Sequence, residues 1–214
     1  MGGINDTYHF LDRWGARYRD AGLSVYGFDC DYGSTTMTEA AELMMERLDA
    51  LAEAGTDQLV ITAHSMGGLI AKHALDRMAA SGSIHRFRSI ELNALGTPWG
   101  GFRLANLVRY APFPVTVGRL IGYPMGVEIG SGSDFMRQLA TPLPPHVRLT
   151  IFHGSADSIA MPRQREEIER FEAVVDIAHR HVVLPGVNHV GFRDPDILAP
   201  SERVDSAQFP QEAS

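Results

Sequence analysis

Ser65 lies in "TAHSMGGLIAK", where an apolar run ends and a helical pattern begins. Two readings compete for it. Serine is among the best helix N-caps, and this position precedes a helix pattern. The alternative is a nucleophile on a sharp strand–turn–helix elbow. Such an elbow needs small residues two before and two after the serine, because the backbone passes close to itself. Ala63 and Gly67 occupy those positions, and Gly68 adds room. A helix N-terminus beneath Ser65 supplies N–H groups without intrahelical partners and a positive dipole end. The N–H of Met66 would face a developing oxyanion.

A serine hydroxyl needs a base, and the base needs an orienting group. Asp157, in "IFHGSADSIAMP", stands just past an apolar strand pattern, though aspartate also favours turns for its own sake. His189, in "VVLPGVNHVGF", stands in the loop after the last strand pattern, where a lone histidine can equally be an inert surface residue. His64 adjoins Ser65 but does not easily fold back on it, so it reads as support for the elbow. His153 ends a strand near Asp157 and is placed to line the site; His181 reads as core or edge. Asp176 and Asp194 are weaker candidates for the acid.

The elements that must hold these residues alternate. Phe10, Trp14 and Tyr18 recur at i, i+4, and Gly22 closes that helix. "LSVYGFDCD" reads as a strand. Thr36 and Glu39 have capping-box spacing, with Ala41, Met44, Leu48 and Leu51 on one face behind them and Gly55 as a stop. "DQLVITAH" is a continuous apolar strand of the kind buried on both faces, and it runs into Ser65. The next helix ends near Ala80 and Gly82. "FRSIELNALGTP", "VRLTIFHGSAD" and "RHVVLPGVNH" are three further strands. The pattern predicts an α/β domain with a mainly parallel sheet. Residues 1–200 form one domain on this reading. The apolar, Pro- and Gly-containing interval 101–130 is either an irregular packed excursion or a small lid or pocket wall. Residues 201–214 read as a flexible tail.

The elbow Ala-His-Ser-Met-Gly resembles that of small lipases and esterases of the α/β-hydrolase superfamily, with Ala63 in place of the first Gly of G-x-S-x-G. "GGIND" near the start, "LGTPWGG" from Leu95 and "GSDFMRQL" from Gly132 are similar to the same lipase pattern. The resemblance implies the chain order Ser, acid, His, hence a triad of Ser65, Asp157 and His189, with Gly154 opening a Gly-x-x-Asp turn. It implies an oxyanion hole from Met66 and, in the "MGGIND" loop, Ile4 with Gly3 beside it. The implied activity is hydrolysis of carboxylic esters, small-molecule or lipid, through an acyl-enzyme. Acyl transfer or lipid deacylation on the same triad, or a non-catalytic hydrolase-like binding module or inactive fragment, are the alternatives. In such relatives a buried central strand precedes the Gly-rich loop, whereas only Met1 precedes it here. Three readings follow: an internal Met of a longer protein, a deliberate fragment, or a fold in which a neighbouring strand closes the gap. The first is preferred, so the fold is expected to be truncated on its N-terminal side.

Composition narrows the rest. The 214 residues suffice for one core. A formal net charge of −7 argues against nucleic acid or anionic membrane as partner. One cysteine, Cys30, excludes an intrachain disulfide and a multi-Cys zinc site; no metal or organic cofactor is expected. No run approaches the ~18 apolar residues of a membrane span. A cytoplasmic location is the default expectation, with secretion left open by the short start.

Overall fold

The computed structural model describes residues 8–31, 34–101, 125–130 and 133–198. Its elements, in order, are α1 (Asp12–Asp20), α2 (Met37–Glu53), β1 (Gln58–His64), α3 (Met66–Ser81), β2 (Ser89–Leu95), α4 (Met125–Glu128), α5 (Asp134–Gln138), β3 (Val147–Gly154), α6 (Arg165–Ile177) and β4 (Arg180–Leu184). A 3₁₀ turn leads into α1, and two more follow β4.

Local sequence explains several boundaries. Thr36 caps α2 as anticipated: its hydroxyl accepts from the Glu39 N–H at 3.0 Å, and the Glu39 carboxylate accepts from the Thr36 N–H at 2.8 Å. Gly82 ends α3 in the left-handed conformation, at φ 82°. The four strands pair in the order β1-β2-β3-β4, all parallel. Leu92 and Ala94 align with Leu149 and Ile151 on one face, where α2 and α3 pack. Leu95 aligns with Phe152 on the other face, where Phe10, Trp14 and Phe192 gather. The two central strands are apolar along the face under α2 and α3, whereas the other face carries the pairs Glu91–Arg148 and Asn93–Thr150 before it reaches Leu95 and Phe152.

β1 departs from its expected place. It is an outer strand of the described sheet, and Leu59 and Val60 are only half-buried. "LSVYGFDCD" also differs from expectation, because residues 23–31 carry no strand. The physical reason is one and the same. A strand exists through its ladder, and residues 23–29 face β1 across a cleft of about 890 Å³ instead of pairing with it. Among the described residues no neighbouring strand closes the gap.

The interval 101–130 lies outside the described residues except at Gly101 and 125–130, and the tail 201–214 lies wholly outside them. Among the described residues no helix is long and apolar enough to cross a membrane.

Candidate functional site

Ser65, Gly96, Asp157 and His189 each follow a strand at the same end of the parallel sheet. That end is where open α/β sheets bind ligands, because loops leaving successive strands converge there.

Ser65 sits between the last residue of β1 and the first of α3 with φ 54° and ψ −129°. It is the one non-glycine residue at positive φ among the described residues. Its side chain makes no capping bond, so the N-cap reading fails on geometry. The backbone is pinned on both sides: Ser65 N–H donates to Leu95 O at 2.9 Å, and Gly68 N–H donates to Ser65 O at 3.1 Å. A Cβ at Gly68 would fall 2.0 Å from Thr97 Oγ1, so the first turn of α3 is pressed against the loop after β2. A strained residue held this firmly by its surroundings is characteristic of functional sites.

The Ser65 hydroxyl lies 3.0 Å from His189 Nε2, and His189 Nδ1 lies 2.9 Å from Asp157 Oδ2. Asp157 is 1% exposed. Burial alone would raise its pKa. The hydrogen bond from His189 and those from the N–H groups of Ala160 and Ile159, each 3.0 Å from Oδ1, together outweigh burial and lower it. An ionised carboxylate only accepts, so the Nδ1 proton belongs to His189. Nε2 is then left to accept the Ser65 proton.

Tight packing sets the two loops. A Cβ at Gly154 would stand 2.0 Å from Val187 O, and Ala156 N–H donates to that same oxygen at 3.1 Å. The loop bearing Asp157 is thereby tied to the loop bearing His189. Gly96, at φ 54°, lies so close that a Cβ would meet Phe192 at 2.8 Å and Asp157 Oδ2 at 2.9 Å. Asn188 caps the turn after β4, accepting from Gly191 N–H at 2.9 Å. Trp14 Nε1–H donates to Phe192 O at 2.8 Å, so α1 holds the same turn.

His64 does more than support the elbow. Its Nε2–H donates to the carbonyl of His189 at 2.9 Å, and its ring stacks on Phe10 with centroids 4.2 Å apart. Desolvation, with the neighbouring His189 adding to it, pushes its pKa down to about 3. A neutral His64 thus braces the backbone of His189. Sequence gave no route to this contact, nor to the close approach of Gly96, although both residues stand within motifs noted above.

The remaining candidates fall elsewhere. Met66 opens α3, so its N–H is among those without an intrahelical partner. Ile4 and Gly3 lie outside the described residues. Asp194 accepts from Asp196 N–H and pairs with Arg13, and Asp176 belongs to α6; neither is the carboxylate on His189. His153 is buried and bonded to His181 at 2.6 Å, with both rings edge-on to Phe171. No group of three or more His, Cys, Asp or Glu side chains among the described residues is arranged to hold a metal ion.

No family model matches the sequence, and no curated protein matches it. Solved structures do. A monoacylglycerol lipase from Paleococcus ferrophilus superimposes with a TM-score of 0.56 at 18% identity, over 86% of this chain and 83% of that one. A mature Bacillus licheniformis lipase gives 0.61 at 14% identity, over 92% and 85%. A Pyrococcus furiosus esterase gives 0.55 at 14%, over 89% and 72%. At such identities the likeness speaks for the fold. The chain has the α/β-hydrolase fold, a parallel sheet flanked by helices.

Proposed function

We propose that this chain is a serine hydrolase that cleaves carboxylic esters through an acyl-enzyme on Ser65. One observation carries the reading: the unbroken chain from Ser65 Oγ through His189 to buried Asp157, with Ser65 held at positive φ. A capping serine would have no use for that backbone strain or for an oriented imidazole.

In this mechanism Asp157 fixes the His189 tautomer. Nε2 takes the Ser65 proton as Oγ attacks the ester carbonyl. The carbonyl electrons move onto oxygen, which is stabilised by Met66 N–H at the start of α3, with Ile4 as the proposed second donor. Collapse expels the alcohol, which takes the proton from His189. Water then attacks the acyl-enzyme by the same steps and releases the acid. The names of the similar structures, lipases and an esterase, agree with this reaction class. The apolar interval 101–130 is proposed as the pocket wall that favours acyl chains over charged substrates, which makes small-molecule or lipid esters the substrate class.

The test is labelling by a fluorophosphonate probe, read by intact mass and peptide mapping. One adduct at Ser65, lost in Ser65→Ala, is the expected result; hydrolysis of p-nitrophenyl esters of graded length then defines the acyl preference. A folded protein that takes no adduct would sink the proposal.

A further inference from the structure

Asp157 alone does not fix the place of the His189 imidazole. One hydrogen bond at Nδ1 selects the tautomer, yet the ring can pivot about that bond and the backbone behind it can drift. Nε2 must nevertheless hold its 3.0 Å approach to Ser65 Oγ, because a misplacement of about 1 Å costs on the order of 100-fold in rate. His189 opens a five-residue 3₁₀ turn, His189–Arg193, a form whose own hydrogen bonds are poorly aligned. Such a turn has to be held from outside.

The contacts that hold it form a closed path. The His189 carbonyl accepts from His64 Nε2–H at 2.9 Å. The His64 ring lies on the Phe10 ring, with centroids 4.2 Å apart and planes 13° from parallel. The Arg193 guanidinium stands over that phenyl ring, 5.0 Å from its centroid. Arg193 closes the turn that His189 opens, so the path leaves the turn at its first residue and returns at its last. Phe10 is buried and comes from Tyr8–Leu11, ahead of α1, while His64 ends β1. Each group suits its place. A neutral imidazole donating from Nε2 can still swing its ring about the bond, and a flat apolar face against it removes that freedom. A guanidinium over the phenyl face is attracted by the ring's quadrupole and ties the end of the turn to the stack.

We propose that Phe10 and Arg193 are positioning residues for ester hydrolysis, acting through His64 on the backbone of His189 to keep Nε2 aligned with Ser65. The proposal rests on the serine-hydrolase reading. Both residues act on the base rather than on the substrate, so they set the rate of the chemical steps and not substrate binding. Trp14 holds the middle of the same turn through Phe192 O, whereas the stack holds its two ends.

The test compares the whole chain with Phe10→Leu, which keeps apolar volume and loses the flat face, with Arg193→Ala and Arg193→Lys, and with the double variant Phe10→Leu, Arg193→Ala. Leu198→Ala thins the same apolar cluster outside the stack and is the control for lost stability. Hydrolysis of p-nitrophenyl butyrate and the proton NMR resonance of His189 Nδ1–H are read well below each Tm. Phe10→Leu is expected to lower kcat about tenfold with KM within about twofold, and to shift or broaden the resonance. Arg193→Ala is expected to lower kcat about threefold, and Arg193→Lys to recover most of that because a cation stays over the ring. The double variant is expected to match Phe10→Leu alone, since both residues act along one path. Leu198→Ala is expected to lower Tm and leave kcat and the resonance in place. Unchanged kcat and resonance in Arg193→Ala would overturn the proposal, and this exposed position keeps the test decisive should Phe10→Leu not fold. Equal kcat losses in Phe10→Leu and Leu198→Ala, a loss seen in KM instead, or additive losses in the double variant would overturn it as well. A wild-type protein that takes no adduct at Ser65 would defeat the hydrolase reading and this proposal with it. Wild-type labelling with the variants unchanged defeats this proposal alone.

Discussion

Replacing Ser65 by glycine is expected to leave a more stable protein than replacing it by alanine, which inverts the usual order. Alanine in place of glycine ordinarily stabilises, because glycine loses more backbone freedom on folding, roughly 0.5–1 kcal/mol. At φ 54° and ψ −129° the balance changes. A residue with a Cβ held in this sparsely populated region carries on the order of 1–3 kcal/mol of strain, and glycine carries almost none. Both variants lose the 3.0 Å bond to His189 Nε2 equally. Ser65 makes no capping bond, so the penalty that alanine usually brings at a helix N-terminus is absent. The difference favours glycine by about 0.5–2 kcal/mol, or roughly 2–6 °C in Tm for a domain of this size. Urea and thermal unfolding of the two purified variants at neutral pH measure it. A Ser65→Ala protein as stable as Ser65→Gly, or more so, would refute the claim that the elbow is strained.

Gly154→Ala is expected to destabilise by at least the ~1–3 kcal/mol of an overpacked site, since its Cβ would strike the Val187 carbonyl; Gly68→Ala meets the Thr97 side chain instead, so Thr97→Ala is expected to recover part of its loss. Chemical denaturation of the single and double variants checks both. Lys72 is fully buried, with its ammonium on both oxygens of Asp76 and on Thr141 O. Lys72→Met is expected to cost about 3–5 kcal/mol, and the companion Asp76→Leu to restore much of it, read as a double-mutant cycle in Tm. His64 is neutral in the fold, with its pKa down at about 3, but charges near its ordinary value when unfolded. The unfolded chain therefore binds the extra proton between about pH 6.5 and 3, and the contribution of His64 to stability falls as pH falls through that window. His64→Gln is expected to flatten the fall in stability by up to about 1.4 kcal/mol per pH unit, and equal slopes in the two proteins would contradict the assignment.

Features fixed by neighbours in sequence were the legible ones. The Thr36–Glu39 box, the Gly82 stop and the run of Ala63, Gly67 and Gly68 around Ser65 are each decided within a few residues. The existence and order of β1 to β4 could be read as well, and that placed Asp157 and His189 near Ser65 once the sheet was parallel, although the patterns for β2 and β4 ran past the strands' ends at Leu95 and Leu184. What could not be read depends on distant partners. His64 and His189 are 125 positions apart, so their bond leaves no local trace. The apolar run of β1 implies two covered faces, yet Leu59 and Val60 are only half-buried, and the strand pattern of 23–31 fails for want of a described neighbour. Periodicity reports a segment's side-chain demands; its backbone demands are met elsewhere or not at all.

The cleft beside β1 and the site are joined through α1. Trp14 and Tyr18 face the cleft, yet Trp14 also holds the Phe192 carbonyl, and the Tyr18 hydroxyl bonds Thr62 Oγ1 at 2.6 Å. Arg13 and Arg17 pair with Asp194 and Asp196 just beyond the His189 turn, but these exposed pairs contribute little on their own. The stronger restraint on α1 is packing: Phe10, Leu11 and Trp14 are buried against Phe192 and the strand ends. The position of the His189 backbone is set by His64 from below and by Trp14 through Phe192 from the side.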